Sequence, residues 1–457
     1  MNPAGPDTAI AGPGPRPFRG PGTILARSMQ ATGLLGIAVI LAIGWAASTD
    51  RRRIPWSTVA VGVLLQLAIG FLFLRFPPVV AAFTLFAQGV TKVISFADEG
   101  TAFVFGKAAD ASGPWGFMFA VKVLPVIVFF ASLMAVLYHL GVMQRLVAAI
   151  AWALRRAMGI SGVEALSAAA NVFVGQTEAP LTVRPFIPRM TRSQVMAVMT
   201  GGFATIAGSV MAAYIGMVGG ADEATRVEVA KHFMTACVMS APAGLVMAKL
   251  MVPETERVPA ESPDALRALP RTTANVMDAA AEGAGDGLRL ALNVGAMLIA
   301  FVSLIALVNW PLAALGEVDA TWLPIASWRA EHGIAPLTLQ NMLGWALQPM
   351  AWLMGCGADS HRVASLMGTQ VIATEFVAYV DLAAMVKDGS LAGRGAVVAT
   401  FALCGFANLP SIAIQIGGLS AMAPERRSDF ARIGFRAMCA GALACWMTGA
   451  VAGVIAP

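Results

Sequence analysis

Two Thr-Glu pairs interrupt apolar stretches of this sequence and supply the side chains best suited to chemistry. Thr177-Glu178 lies in the run VGQTEAP, residues 174–180, and Thr374-Glu375 lies in TEFVAY, residues 374–379. Inside a lipid-embedded segment a carboxylate costs about 3 kcal/mol or more, so it must be paired, protonated or in contact with water. Two carboxylates in similar surroundings therefore indicate a polar site.

A binding role and a structural role are both open for these glutamates. The nearby glutamine, asparagine, serine and threonine side chains offer donors and acceptors that suit an uncharged, hydroxyl-rich ligand, and a carboxylate accepts from a pair of sugar hydroxyls. The alternative is that each glutamate caps a half-helix or pairs with an arginine such as Arg184.

The elements that must position these residues are membrane-spanning helices. Of the 457 residues, 58% are hydrophobic and 12% are charged, and the mean hydropathy is +0.72. In lipid, backbone N–H and carbonyl groups must form hydrogen bonds within a helix or between the strands of a barrel. The long apolar runs lack the period-2 alternation of barrel strands, so they are predicted to be helices. We therefore predict an all-α integral membrane protein of about eight spans. The apolar runs are 31–48, 58–74, 117–140, 195–217, 232–251, 290–310, 396–419 and 435–456.

Arginine clusters indicate how the chain is oriented. Arg51, Arg52 and Arg53 follow the first span, and a second cluster lies at the last span. By the positive-inside rule both loops are cytoplasmic and both termini lie on the opposite side, although arginines before the first span weigh against this. The net charge of +5 is spread over the loops, so no nucleic-acid partner is indicated. The second cluster is Arg426, Arg427, Arg432 and Arg436, and the early arginines are Arg16, Arg19 and Arg27.

Composition divides the chain into three parts. Residues 1–27 are rich in proline and glycine, which predicts a disordered tail without the order of a signal peptide. Residues 28–115 hold the first spans and, over 78–107, a helix expected on the membrane surface. Residues 116–457 form the core, in which 253–287 is predicted to be a surface loop and the weakest place for chemistry.

The scattered cysteines are interpreted as packing residues, without a disulfide or metal role: Cys237, Cys356, Cys404, Cys439 and Cys445.

The core contains an internal repeat. Thr177-Glu178 recurs 197 residues later as Thr374-Glu375, and Gly202-Phe203-Ala204-Thr205 recurs 203 residues later as Gly405-Phe406-Ala407-Asn408. The matching order and similar spacing predict two structural repeats, near 161–217 and 340–420, arranged as an inverted repeat.

Each repeat is predicted to hold a re-entrant hairpin followed by an irregular span. Asn171, Gly175 and Pro180 make a continuous helix through the first Thr-Glu pair unfavourable. In transporters built from two repeats, the substrate site lies near the midplane, where such broken helices meet. The first hairpin tip would carry Gln176, Thr177 and Glu178, the second would carry Glu375, and Thr205 and Asn408 would lie at irregular points in the spans that follow.

Several long motifs resemble the concentrative nucleoside transporter family. They are NVFVGQTEAPLTVRPFIPRMT at 171–191, GLRLALNVGAMLIAF at 287–301, TEFVAY at 374–379, CGFANLPSIAIQIGGL at 404–419 and APERR at 423–427. The resemblance covers most of the chain from about residue 30 onward. It implies a homotrimer of eight-span protomers in the bacterial inner membrane, surrounded by lipid, which imports nucleosides together with a cation and needs no other cofactor.

The resemblance also implies roles for individual residues. Around the nucleobase it places Gln176, Thr177 and Glu178, with Val210 and Leu290 packed nearby. Around the ribose it places Glu375, Asn408 and Ser411, with Phe406 lining the pocket. Its cation site corresponds to backbone and side-chain oxygens of Asn171, Val174, Thr205 and Ile206.

Sodium is the expected coupling ion. Gly202 and Gly208 bracket a segment around Thr205 that is able to unwind and release carbonyl oxygens, which are ligands that a hard cation prefers. Proton coupling through Glu178 or Glu375 is the competing interpretation.

The chain departs from the family pattern at three positions on the ribose side. Thr374 replaces an asparagine, Gln370 replaces a lysine and Pro410 replaces a serine. These changes leave the range of nucleosides open, and the sequence alone does not identify the preferred ones.

Two other functional classes find less support. Gly283-Ala284-Gly285-Asp286 has the form found in intramembrane aspartyl proteases, but a Tyr-Asp partner motif is missing; Tyr379-Val380-Asp381 has an intervening residue. A passive channel is compatible with the composition, and an uptake assay driven by ion gradients separates it from a symporter.

Overall fold

The computed structural model describes residues 23–110, 118–220, 222–259, 273–320, 323–331 and 336–455. Within them the regular secondary structure is helical apart from one antiparallel pair of two-residue strands, β1 Asp319–Ala320 and β2 Leu323–Pro324. Residues 1–22 of the predicted tail and the predicted boundary at 115 lie outside the described residues. The tail prediction extends too far, because the first helix already begins at Thr23.

The α-helices are α1 Thr23–Ala46, α2 Trp56–Leu74, α3 Pro77–Phe105, α4 Phe119–Lys122, α5 Leu124–His139, α6 Val142–Met158, α7 Gly162–Asn171, α8 Arg192–Ala204, α9 Gly208–Gly219, α10 Glu223–Met251, α11 Val276–Gly316, α12 Ile325–Glu331, α13 Leu339–Ala351, α14 Ser360–Ile372, α15 Glu375–Lys387, α16 Gly393–Ala402, α17 Leu409–Met422 and α18 Arg427–Ile455. Short 3-10 segments cover Gly106–Ala109, Ala179–Arg189, Gly357–Asp359 and Pro424–Arg426, and a π-helical turn covers Trp352–Cys356.

Seven helical stretches of the described chain are long and apolar enough to cross a membrane. Six of them correspond to predicted spans, and the two remaining predicted spans correspond to α1 and to the pair α16 and α17. The seventh stretch is Pro77–Ala109, which the sequence places on the membrane surface. Its length and composition would also allow it to span, so the surface location stays a prediction.

The centre of the molecule is formed by α8, α9, α10 and α18, whose residues are mostly buried. The helices α3 and α11 are mostly exposed, and α11 presents large apolar side chains such as Ile299 and Trp310 outward. Lipid tails are as apolar as these side chains, so such faces suit a bilayer. Four of the cysteines are buried and Cys439 is partly buried, all as free thiols, as expected of packing residues.

The first hairpin consists of α7 and the 3-10 segment Ala179–Arg189, joined by a turn over residues 172–178. A capping box formed by Ser161 and Glu164 starts α7, and prolines within the returning arm prevent an α-helix there. Gln194 Nε2 donates to Ser161 Oγ across 3.1 Å, so the residues just before and just after the hairpin are adjacent. The hairpin therefore enters and leaves on one side.

The second hairpin consists of α14 and α15, joined at residues 373 and 374. The Thr374 side chain accepts from the backbone N–H of Val377 and caps α15, which begins at Glu375. In the following span, Asn408 caps α17 in the same way by accepting from the N–H of Ser411. These caps satisfy N–H groups that have no intrahelical partner, and so they fix where each helix restarts.

The two hairpins point in opposite directions. Arg426, just before α18, donates to the carbonyl oxygens of Ile187 and Met190 at the base of the first hairpin, across 2.8 and 2.7 Å. At the other end of α18, Arg394 donates to the carbonyl of Gly453, and Arg394 follows the second hairpin directly. The hairpin bases therefore lie at opposite ends of one helix, as an inverted repeat requires.

The predicted surface loop over 253–287 is wrong in its second half. Asn275 caps α11 by accepting from the N–H of Asp278, and the helix continues from Val276. Gly283 and Gly287 allow α11 to approach α5 closely, because a Cβ at either position would lie 2.7–2.8 Å from backbone atoms of Ala131 or Val128. These two glycines, which are typical of a loop by composition, are contact residues between α5 and α11.

Candidate functional site

The interrupted spans of the two repeats meet at their breaks. The backbone N–H of Phe406 donates to the carbonyl oxygen of Thr205 across 3.3 Å. The first hairpin reaches the same place, since the N–H of Gly208 donates to the carbonyl of Phe173 across 2.9 Å. The predicted irregular points at Thr205 and Asn408 therefore lie in one central region.

Glu375 is held between the two repeats. Its Oε1 accepts from the Tyr214 hydroxyl across 2.9 Å, and its Oε2 accepts from Asn408 Nδ2 across 2.8 Å. The side-chain oxygen of Asn408 accepts from the N–H of Ser411, so the amide orientation of Asn408 is fixed. Glu375 is 5% exposed, and each of its oxygens retains lone pairs for a further donor.

Gln176 at the first hairpin tip bonds to the second broken span. Its Nε2 donates to Ser411 Oγ across 3.1 Å, and its Oε1 accepts from Gln415 Nε2 across 3.1 Å. Gln415 also donates to the carbonyl of Met199 across 3.1 Å. Together with Glu375 and Asn408, these residues form one polar network that joins both hairpins to both broken spans.

Glu178 lies two residues beyond Gln176 and faces a cavity of about 410 Å3. Its side chain is exposed there, and its Oε2 accepts from the N–H of Gly175 across 3.2 Å. This bond lies within the hairpin turn, and the Glu178 side chain does not cap the 3-10 segment that follows. Arg184 lines the same cavity, but no ion pair with Glu178 is present among the described residues.

The predicted site residues fall into two adjoining groups. Val174, Glu178 and Leu290 line the cavity, whereas Gln176, Glu375, Asn408 and Ser411 belong to the buried network. Thr177 and Phe406 are partly buried and Val210 is buried, and none of the three is part of the cavity wall. Glu282 and Asp286, from the segment predicted to be an uninformative loop, do line the cavity, so that prediction is corrected here as well.

The residues expected to hold sodium are compatible with a site for a hard cation. Asn171 Nδ2 donates to the carbonyl of Ser167, which directs Oδ1 the other way, and this buried oxygen accepts no hydrogen bond from any described residue. Asn171 packs against Gly201, whose carbonyl accepts from Thr205 Oγ1 across 3.0 Å. Thr205 and Ile206 are buried beside this group. Neutral oxygens in such a setting suit a monovalent hard cation.

Three polar residues at the centre were missed by the sequence analysis. Tyr214 donates to Glu375, and Gln415 donates to Gln176. Gln370, noted above only as a departure from a family pattern, donates to the carbonyls of Leu403 and Gly405 that the break in the second span leaves free. A signal existed for Gln415, because it follows Ser411 by one helical turn on the same face.

Three family models match the chain. They are described as "Na+ dependent nucleoside transporter N-terminus" over residues 35–108, "Nucleoside recognition" over 120–221 and "Na+ dependent nucleoside transporter C-terminus" over 232–453.

Curated relatives are similar over nearly the whole chain. An "Uncharacterized transporter" of Haemophilus influenzae is 45% identical over 93% of this chain and 97% of its own length. The "Sodium/nucleoside cotransporter 1" of Mus musculus is 38% identical over 94% of this chain, which spans 64% of that longer protein.

Solved structures are similar in fold. CNTnw in an inward-facing substrate-bound state has a TM-score of 0.83 at 43% identity, over 93% of this chain and 98% of that one. A substituted CNTnw in an outward-facing state has a TM-score of 0.84 at 42% identity, over 94% and 99%. With this extent of identity and coverage, the chain belongs to the Na+ dependent nucleoside transporter family.

Proposed function

We propose that this chain imports nucleosides by sodium-coupled symport across the bacterial inner membrane. The supporting observation is the position of Glu375, which accepts from Tyr214 and Asn408 and so joins the second hairpin to both broken spans. A nucleoside bound there would contact the second hairpin and both broken spans, which a change of access has to move.

The ribose would bind on the side of Glu375, Asn408 and Ser411, with Phe406 against its ring. The nucleobase would bind on the side of Gln176, Thr177 and Glu178, with Val210 and Leu290 supplying apolar contacts. The carboxylate of Glu375 has lone pairs beyond those used by Tyr214 and Asn408, and these can accept from ribose hydroxyls.

Sodium would bind to oxygens of Asn171, Val174, Thr205 and Ile206. The ion would tie the first hairpin to the first broken span, which already contact each other through Gly208 and Phe173. Since that hairpin also carries Gln176, ion binding and nucleoside binding would each increase the affinity for the other.

The arginine-rich end of the molecule would face the cytoplasm. Arg53 donates to the carbonyl of Thr255 across 3.1 Å, and the neighbouring Glu254 accepts from Thr191 Oγ1 at the base of the first hairpin. Arg426 also contacts this base, so both arginine clusters lie near it. The cavity lined by Glu178 then gives access to the first hairpin tip. We further propose that the protomers assemble as a homotrimer within the lipid bilayer.

The decisive experiment is uptake of labelled uridine, cytidine, adenosine and inosine into proteoliposomes that contain the purified protein. Inward sodium and proton gradients are imposed separately, with choline replacing sodium in the control. We expect accumulation above the external concentration only with the sodium gradient. Accumulation driven by protons alone would overturn sodium coupling, and mere equilibration would identify a passive channel.

A further inference from the structure

We propose that Gln415 is a positioning residue for nucleobase recognition, which holds the amide of Gln176 in a single orientation. The juxtaposition that carries this inference is the chain of contacts from the Met199 carbonyl through Gln415 and Gln176 to Ser411. The inference rests on the proposed function, because it assumes that a nucleoside binds at the first hairpin tip.

The direction of this hydrogen-bond chain is set at one end by the backbone. The Met199 carbonyl can only accept, so the group of Gln415 that faces it must be the amide nitrogen. The second hydrogen on that nitrogen then points to Gln176, whose oxygen accepts it across 3.1 Å. The nitrogen of Gln176 is thereby turned toward Ser411 Oγ, also at 3.1 Å.

A flipped amide of Gln176 would be unfavourable. It would place the nitrogen of Gln176 against the nitrogen of Gln415, and two donors would face each other in a buried place. Gln176 is 7% exposed and Gln415 is 2% exposed, so water does not readily replace the lost partner. An unsatisfied buried polar group costs about 1–3 kcal/mol, which is enough to keep one orientation dominant.

A glycine makes room for the pair. A Cβ at Gly202 would lie 2.7 Å from Gln415 Nε2 and 2.9 Å from the Cβ of Gln176. Gly202 lies inside α8, where glycine is less favourable than alanine by about 1 kcal/mol. Its presence in the repeated Gly-Phe-Ala motif is therefore explained by the contact between the two glutamines.

A fixed amide presents a defined edge to the ligand. After its bonds to Ser411 and Gln415, Gln176 retains one N–H donor and one lone pair on oxygen. Uracil and cytosine have the same shape but opposite donor and acceptor order on one edge. A freely rotating amide would adapt to both orders, whereas a fixed amide treats them differently.

The test measures nucleoside affinity and transport of Gln415→Leu. We expect the KM for uridine to rise about tenfold while kcat changes by less than about twofold, because the site is less well oriented but otherwise intact. We also expect the ratio of the uridine and cytidine KM values to change by about threefold or more. The matched control is Gln66→Leu, which removes a buried amide bonded to Thr448 Oγ1, and it should leave both KM values unchanged.

A double-mutant cycle separates positioning from a general packing effect. Dissociation constants for uridine are measured on the purified wild type, Gln415→Leu, Gln176→Leu and the double variant. If Gln415 acts through Gln176, Gln415→Leu causes no further loss of affinity when Gln176→Leu is already present. Additive losses, or an unchanged ratio of uridine to cytidine, would overturn the proposal.

A second variant keeps the test decisive if Gln415→Leu does not assemble. Gln415→Glu preserves the size of the side chain but leaves at most one donor, so it cannot donate to both the Met199 carbonyl and Gln176 Oε1. We expect a loss of uridine affinity of at least about tenfold. Wild-type affinity in Gln415→Glu would overturn the role of Gln415, whereas absence of nucleoside binding by the wild type would overturn the proposed function itself.

Discussion

The backbone N–H of Phe406 donates to the carbonyl oxygen of Thr205, which joins the break in one repeat directly to the equivalent break in the other. Each break leaves backbone N–H and carbonyl groups without the partners that an unbroken helix would supply. The hydrogen bond between the two breaks satisfies one N–H and one carbonyl of these. Polar side chains that depend on the breaks, such as Asn408, therefore converge on one place in an otherwise apolar molecule.

The contact between the breaks depends on Gly405. A Cβ at this position would lie 2.6 Å from the carbonyl oxygen of Phe203 and would also collide with Cys445 Sγ. We expect Gly405→Ala to destabilise the protein by about 1–3 kcal/mol and to reduce nucleoside uptake, since the two spans must separate. Thermal denaturation in detergent and proteoliposome uptake measure the two effects.

Gly417→Ala provides the matched control for this substitution. Gly417 lies in α17, and a Cβ there would meet nothing within 4 Å. Alanine should therefore be neutral or slightly stabilising at this position. Equal behaviour of the two variants would mean that close approach at Gly405 is not required.

Glu375 should be essential as an acceptor. Tyr214 and Asn408 donate to different oxygens of Glu375, and in Glu375→Gln one of these two oxygens becomes a nitrogen that can only donate. We expect kcat/KM for nucleoside uptake to fall about 10–100-fold, which corresponds to about 1.4–2.8 kcal/mol. Glu178→Gln should also depress uptake, because its carboxylate faces the cavity at the hairpin tip.

The control for both carboxylates is Glu317→Gln. Glu317 is an exposed glutamate that pairs with Arg329 on the protein surface, and its neutralisation should leave uptake unchanged. Near wild-type transport by Glu178→Gln and Glu375→Gln would assign both carboxylates a structural role.

The sequence predicted the fold well because its signals are local. Apolar length identified the spans, and repeated motifs at Gly202 and Gly405 identified the two halves and the points where their spans break. Caps at Thr374 and Asn408 act on the next few residues, so their effect is readable from the neighbouring sequence.

The sequence did not predict contacts that only the packing creates. Tyr214 and Glu375 are 161 residues apart, and their hydrogen bond depends on how the first broken span lies against the second hairpin. The start of α11 was misassigned because Gly283 and Gly287 are loop-like by composition, although they serve a close helix contact. The departure at Gln370 became interpretable only when its two carbonyl partners were known.

The base of the first hairpin is held by a buried ion pair. Lys249 Nζ lies 2.5 Å from Glu164 Oε1, and the two side chains are only 7% and 2% exposed. We expect Lys249→Met to destabilise the protein by about 3–5 kcal/mol, because Glu164 would remain buried without a counter-charge. The melting temperature in detergent should fall accordingly.

Two further variants test this interpretation of the ion pair. Lys249→Met combined with Glu164→Gln should recover much of the stability, because no charge remains buried alone. Lys231→Met is the matched control: its ion pair with Glu228 is equally short, but the glutamate is 59% exposed, so the loss should be below about 1 kcal/mol. A similar loss for Lys231→Met and Lys249→Met would contradict the importance of burial.

Sodium dependence should be sensitive to the hydroxyl of Thr205. That hydroxyl donates to the Gly201 carbonyl, which leaves its oxygen lone pairs available to a cation beside the buried Oδ1 of Asn171. We expect Thr205→Val to raise the sodium concentration for half-maximal uptake about tenfold, equivalent to about 1.4 kcal/mol. Thr205→Ser keeps the oxygen and should resemble the wild type.

The measurement is uridine uptake at fixed pH over a range of sodium concentrations, with choline keeping the ionic strength constant. Thr91→Val is the matched control, because Thr91 is a buried threonine that also donates to the carbonyl four residues earlier, in a helix away from the site. Its sodium dependence should not change. If Thr205→Val also left the sodium dependence unchanged, the hydroxyl would be a helix-packing group, and the ion site would have to be sought among other oxygens.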